Sequence, residues 1–169
     1  MLSAKKSLLL LLSLFATCLG LNYLYLTYKT NESEESKEER TKELMPRTMG
    51  TIFLVLGLLK LTDLQSFSKI FAKYDIVAKR VPVYGYLYPF LEIMIGLSLF
   101  VKDYRVNAYK TIIVLMTIGL LGIFKIMVSK KGSTLRCGCM GSLFHVPLSY
   151  VTLGENIVMI AMSSYLLFR

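Results

Sequence analysis

The sequence predicts an all-α protein, an integral membrane helical bundle, and three observations carry that prediction. Of 169 residues, 54% are hydrophobic and only 18% are charged, whereas soluble domains carry about 25% charged residues. The apolar residues are gathered into long blocks separated by short charged segments. Several blocks approach the roughly 20 residues that a helix needs to cross hydrocarbon. The formal net charge of +9 does not indicate nucleic acid. Its lysines and arginines lie mostly between apolar blocks, where they orient helices and meet anionic lipid headgroups. They form no compact basic patch.

The first block runs from about Ser7 to Tyr28, behind Lys5 and Lys6. A basic start followed by five leucines suits a signal peptide, but the apolar run continues past Cys18. The sequence Phe15-Ala16-Thr17-Cys18 matches a lipoprotein cleavage site only loosely, so residues 1–28 read as an uncleaved transmembrane anchor. Residues 29–46 are polar, with six glutamates among three lysines and one arginine, and read as a solvated, partly helical linker. Thr48 to Leu61 forms a second span, short by itself but extended by Met45 and Pro46, with Lys60 able to snorkel at its exit. From Leu64 to Tyr74 the apolar residues Leu64, Phe67, Ile70, Phe71 and Tyr74 recur at three- and four-residue spacing. That spacing predicts an amphipathic helix lying in the headgroup plane. Three more spans follow, from about Val83 to Val101, Thr111 to Val128 and Leu148 to Phe168. Residues 47–169 therefore read as a four-helix bundle, with one further helix before it.

Short connectors make neighbouring spans antiparallel. The segment around Cys137 and the connector starting at Asp63 then share one face. Lys60 and Lys125 lie at the near ends of their spans, and Glu155 lies about 10 Å deep at 1.5 Å per residue. Glu92 lies a little deeper in the third span. A carboxylate in hydrocarbon costs at least about 2.5 kcal/mol unless it is paired, neutral or turned into the bundle. Glu92 and Glu155 are thus expected to face inward, with Lys60, Lys125 or Arg80 as partners. Tyr84, Tyr88, Glu92 and Gly96 recur every fourth residue and form one stripe, in which the tyrosines can hydrogen-bond the carboxylate. Pro89 frees a backbone carbonyl one turn earlier. Such groups either hold the bundle together or handle protons or a ligand.

The remaining chemistry lies in Arg136-Cys137-Gly138-Cys139-Met140-Gly141. Two glycines permit a tight exposed turn. Thiols one residue apart can close a small, strained and easily reduced disulfide, and Arg136 favours the attacking thiolate. A redox pair is the leading reading. Cys137, Cys139 and Met140 are also soft ligands able to hold copper or mercury, and the cysteines could instead be simple turn residues. His145 reads as interfacial, and Cys18 as inert.

The succession Lys60-Leu61, Asp63, Phe67, Phe71, Tyr74-Asp75, Arg80, Tyr88-Pro89 and Glu92, then Cys137-Gly138-Cys139-Met140-Gly141, Pro147-Leu148 and Glu155, resembles the MauE branch of the DoxX-like redox-associated membrane proteins. The resemblance covers roughly residues 47 to 169. It implies a four-helix DoxX-like membrane core and a role among methylamine-utilisation accessory proteins. Such proteins are thought to help mature the disulfide-rich β-subunit of methylamine dehydrogenase, alongside a thioredoxin-like partner.

The expected function is accordingly that of a multi-pass inner-membrane accessory protein supporting thiol-disulfide chemistry. Cys137 and Cys139 would exchange with a thioredoxin-like protein or a disulfide-containing client, and Lys60, Asp63, Asp75, Arg80, Tyr88, Glu92 and Glu155 would shape the adjoining pocket. The alternatives are a heavy-metal binding or transport protein and a structural assembly partner. The sequence shows no nucleotide loop, catalytic triad or haem motif, and no cofactor is expected.

Overall fold

The computed structural model describes residues 4–29, 34–128 and 148–168. In chain order the helices are α1 (Ala4–Lys29), α2 (Glu34–Leu61), α3 (Leu64–Tyr74), α4 (Pro82–Ser98), α5 (Arg105–Val128) and α6 (Leu148–Phe168), with a 3-10 turn at Lys102–Tyr104. No strand occurs among the described residues. Two stretches are long and apolar enough to cross a membrane, Lys42–Leu61 and Lys102–Lys125, and Leu153–Phe168 is a shorter apolar helix.

Helix α2 takes in most of the charged segment as well as the apolar block behind it. Glu, Lys and Arg are good helix formers, so nothing in the charged run stops the helix at the point where polarity changes. Pro46 lies inside it. Helix α4 begins on Pro82, whose missing donor is no loss in a first turn, and carries Pro89 internally.

Glycines set the register between α2 and α4. A methyl group on Gly50 would lie 2.9 Å from the Gly96 carbonyl oxygen, and one on Gly57 would lie 3.1 Å from that of Pro89. Residue numbers rise along α2 as they fall along α4, so the two helices are antiparallel at backbone-to-backbone distance. Helix α6 packs along α5, again antiparallel, since Asn156 lies against Gly119 while Glu155 and Ile123 share a wall further on. Helix α1 packs on α2, where Asn22 donates a 3.0 Å hydrogen bond to Thr51.

The amphipathic helix is found where the spacing predicts it, with a different partner for its apolar side. Phe67, Ser68, Phe71 and Tyr74 are buried in protein, packed against α4 and α5, so the apolar stripe is covered by neighbouring helices rather than by lipid. Its start is capped by Asp63, which accepts from Ser66 N–H at 3.1 Å. Its end is pressed onto α5 at Gly122, where a methyl group would clash with the Tyr74 carbonyl oxygen.

The outward faces are strongly apolar: Leu87, Phe90, Met94 and Leu97 on α4, Val114, Leu121 and Phe124 on α5, and Ile157 and Tyr165 on α6 are all exposed. Apolar surface of that extent is foreign to soluble monomers and natural in lipid.

At the end of the bundle where α5 begins, the Arg105 guanidinium grips Glu43 with two hydrogen bonds of 2.8 and 2.7 Å and donates a third, of 2.9 Å, to the Leu99 carbonyl. Lys102 and Arg47 lie 3.5 and 3.6 Å from the same carboxylate, and Arg47 also stacks over Tyr25 at 5.2 Å. Glu43, assigned by composition to a solvated linker, is instead the centre of a partly buried ion cluster joining α2 to the start of α5. A bidentate pair of this kind fixes geometry as well as charge.

Candidate functional site

Opposite that cluster, the last turns of α2 and α5 and the first turns of α4 and α6 converge beneath α3. Lys60, the penultimate residue of α2, would ordinarily extend to solvent or headgroups. Here it is turned inward by the close packing of α2 on α4, and its ammonium forms a buried ion pair with Glu92. The two side chains are only 4% and 2% exposed. The same ammonium lies over the Tyr88 ring at 5.3 Å and the Phe67 ring at 5.7 Å. Desolvated cation–π contacts of this type contribute up to about 2 kcal/mol each. The Tyr88 hydroxyl faces Glu92 as well.

The pair opens on a cavity of about 20 Å³, which is room for about one water molecule. Helix α3 supplies Phe67, Phe71 and Tyr74 to the wall, α5 supplies Met116, Gly119 and Ile123, and α6 supplies Glu155 and Asn156. Glu155 and Asn156 are buried. Neither Glu92 Oε2 nor Glu155 Oε2 has a hydrogen-bond partner among the described residues. Buried carboxylate oxygens are nearly always satisfied, so these two mark a place where water or a proton belongs. The aromatic side is ordered by ring packing: Phe71 lies 4.5 Å from Tyr88 and 5.1 Å from Phe67, and Tyr74 meets Phe71 edge-on at 5.4 Å. Burial, followed by the Asp75 carboxylate, raises the Tyr74 phenol well above its ordinary range, which leaves it a neutral hydroxyl at any physiological pH.

Of the residues that the sequence nominated for this pocket, Lys60, Tyr88, Glu92 and Glu155 are brought together. Asp63 is the N-cap of α3. Asp75 is buried and organises the next turn, accepting from Val77 N–H at 2.9 Å and Ala78 N–H at 2.8 Å. Burial raises the Asp75 carboxyl above its ordinary value, against the pull of these two donors. Both aspartates shape the pocket's surroundings without reaching it. Arg80 is exposed on the α3–α4 connector and does not line the cavity; the short connector turns it outward, which removes it as a partner for the glutamates. Lys125 is likewise exposed. Sequence reasoning missed Asn156 and the cavity-facing role of Tyr74. The signal for the first was an amide next to a glutamate inside an apolar block; Tyr74 was hidden among the apolar residues of an amphipathic stripe.

Cys137, Cys139, Met140 and His145 lie outside the described residues, as does the rest of 129–147. The helices on either side of that segment are described. Ile123 precedes the end of α5 by five residues and Glu155 follows the start of α6 by seven, so both reach the cavity within about 10 Å of the segment's ends at 1.5 Å per residue. Among the described residues, no group of three or more His, Cys, Asp or Glu side chains could hold a metal ion. Cys18, on α1, is buried and free.

Residues 41–169 match the family described as methylamine utilisation protein MauE. The chain belongs to the MauE family. The match covers most of the sequence and takes in every residue of the cavity wall. Comparison with curated proteins and with solved structures found no match. MauE membership, together with the two stretches apolar enough to cross a bilayer, makes this a membrane protein of the methylamine-utilisation accessory type.

Proposed function

We propose that this MauE-family chain is a multi-pass inner-membrane accessory protein that exchanges thiols and disulfides with a partner protein through Cys137 and Cys139. In this reading residues 1–28 anchor the chain, 29–46 link it, and 47–169 form a four-helix DoxX-like core. The partner is a thioredoxin-like protein or a disulfide-containing client, the methylamine dehydrogenase β-subunit being the family's example. The observation that carries the reading is one of placement: α5 and α6, the helices that flank the cysteine segment, both supply walls to the buried Lys60–Glu92–Glu155 cavity.

The exchange balances simply. One cysteine thiolate attacks a partner disulfide, forms a mixed disulfide and expels a partner thiolate. The second cysteine then attacks the mixed disulfide, closing Cys137–Cys139 and releasing the reduced partner. Two electrons pass to the partner, which takes up two protons as the pair gives up two. Run in reverse, the same steps oxidise the partner.

Thiol trapping in intact cells, with and without added reductant, tests this. The expected result is a redox-dependent change in the alkylation of both cysteines, and a partner protein captured as a mixed disulfide by Cys139→Ser. Cysteines that stay reduced under every condition, and whose replacement by serine changes nothing, would overturn the reading. Stoichiometric copper on the purified protein, lost in Cys137→Ser, would point to metal binding instead.

A further inference from the structure

Counting charge around the cavity gives an imbalance. Lys60 enters from α2, Glu92 from α4 and Glu155 from α6, so one ammonium faces two carboxyl groups. Among the described residues, the other titratable groups on the wall are the phenols of Tyr74 from α3 and Tyr88 from α4; α5 presents only apolar residues and a glycine, and α1 presents none of the wall. Lys60 is committed to Glu92. Glu155 is 8% exposed and its Oε2 has no partner among the described residues. With both carboxyls ionised, an uncompensated negative charge would be enclosed among aromatic rings, an arrangement that proteins avoid by neutralising the group. A space of about 20 Å³ admits about one water. It does not admit an alkali-metal ion with a full oxygen shell beside an ammonium.

We propose that the cavity is a proton-binding site, in which Glu155 carries a dissociable proton that it exchanges with the enclosed water. On release, the Glu155 carboxyl becomes a carboxylate, the proton departs on the water, and Lys60 is shared between Glu155 and Glu92. Reprotonation returns Lys60 to Glu92. The site is independent of the cysteine chemistry: it stands whether or not Cys137 and Cys139 exchange.

Infrared spectroscopy of the full chain in lipid nanodiscs, with glutamate selectively labelled with ¹³C, tests the proposal. The expected result at neutral pH is one protonated-carboxyl band that moves with the label and shifts in D₂O. Glu155→Gln should abolish that band, while Asp75→Asn leaves it unchanged. Lys60→Met should raise its intensity about twofold, because two carboxyls then lack a cation. Absence of a glutamate band in the wild type, which needs no variant to establish, would overturn the proposal. So would a band that survives Glu155→Gln, or one that appears only when sodium and potassium are removed.

Discussion

Replacing Lys60 with methionine keeps an unbranched side chain of similar reach and removes only the ammonium. In the structure that ammonium is buried with Glu92 and lies over two aromatic rings. Deleting one member of a buried pair strands the other. Because the Glu92 carboxyl can then take up a proton, the cost is at most that of an uncompensated charge, about 3–5 kcal/mol. Glu92→Gln exposes Lys60 to the converse problem, softened by the nearby Glu155. The double variant Lys60→Met/Glu92→Gln leaves neither charge stranded and should lose much less than the sum of the singles. The coupling energy should lie toward the upper end of the roughly 0.5–3 kcal/mol seen for contacting residues. It should also exceed the ~0.6 kcal/mol average of interhelical hydrogen bonds in a membrane protein. The assay is reversible unfolding of all four proteins in mixed detergent micelles, followed by helical circular dichroism. Additivity within about 0.5 kcal/mol would refute the reasoning, because it would mean that Lys60 and Glu92 do not depend on one another.

Two further predictions follow from particular contacts. Gly122→Ala drives a methyl group into the Tyr74 backbone carbonyl and should cost about 1–3 kcal/mol as an overpacked contact, whereas Gly154→Ala, with open space around it, should be neutral or slightly stabilising; thermal unfolding in detergent compares them. Asp75 has its carboxyl raised by burial from an ordinary value of 3.8, so the folded state holds the proton more tightly than the unfolded chain. Its contribution therefore favours the fold at low pH and declines as pH rises from 3.8 through the folded value, then stays level. Asp75→Asn keeps an oxygen for the Val77 and Ala78 donors, so it should remove that decline and be at least as stable as wild type at neutral pH. Asp75→Ala should also lack the decline and lie about 1–2 kcal/mol below Asp75→Asn at every pH. Unfolding measured as a function of pH separates the three proteins.

Much of the helix layout was legible because block polarity and short connectors constrain it: α3 and α6 start and stop where their patterns do. The beginnings of α2 and α5 were not, since polarity marks where a helix enters apolar surroundings and not where its backbone bonds begin. Lys60, Glu92 and Glu155 could be singled out because an ionisable group inside an apolar block has few tolerable positions, all of them inward. The pairing of Lys60 with Glu92, rather than Lys125 or Arg80 with either glutamate, depends on the α2–α4 glycine contacts, and no single segment reveals that register. Asp63 and Asp75 were drawn toward the pocket by their place in a recognisable succession of residues, yet each is held by backbone donors next to it in the chain. The ion cluster around Glu43 escaped notice for a related reason: a carboxylate in a run of mixed charges looks like any other until Arg105, 62 residues later, arrives beside it.

The contacts of α2 with α4 through Gly50, Gly57 and Gly96 leave no slack between those two backbones. By contrast, among the described residues Gly154 has nothing within 4 Å and Gly119 meets only the Asn156 amide at 3.4 Å. One side of the chamber is therefore a stiff jamb, and α6 is the element set least tightly against it. Gly122 pins α5 against the end of α3 in the same way, so any swelling of the chamber to let a solvent molecule through meets least backbone resistance along α6.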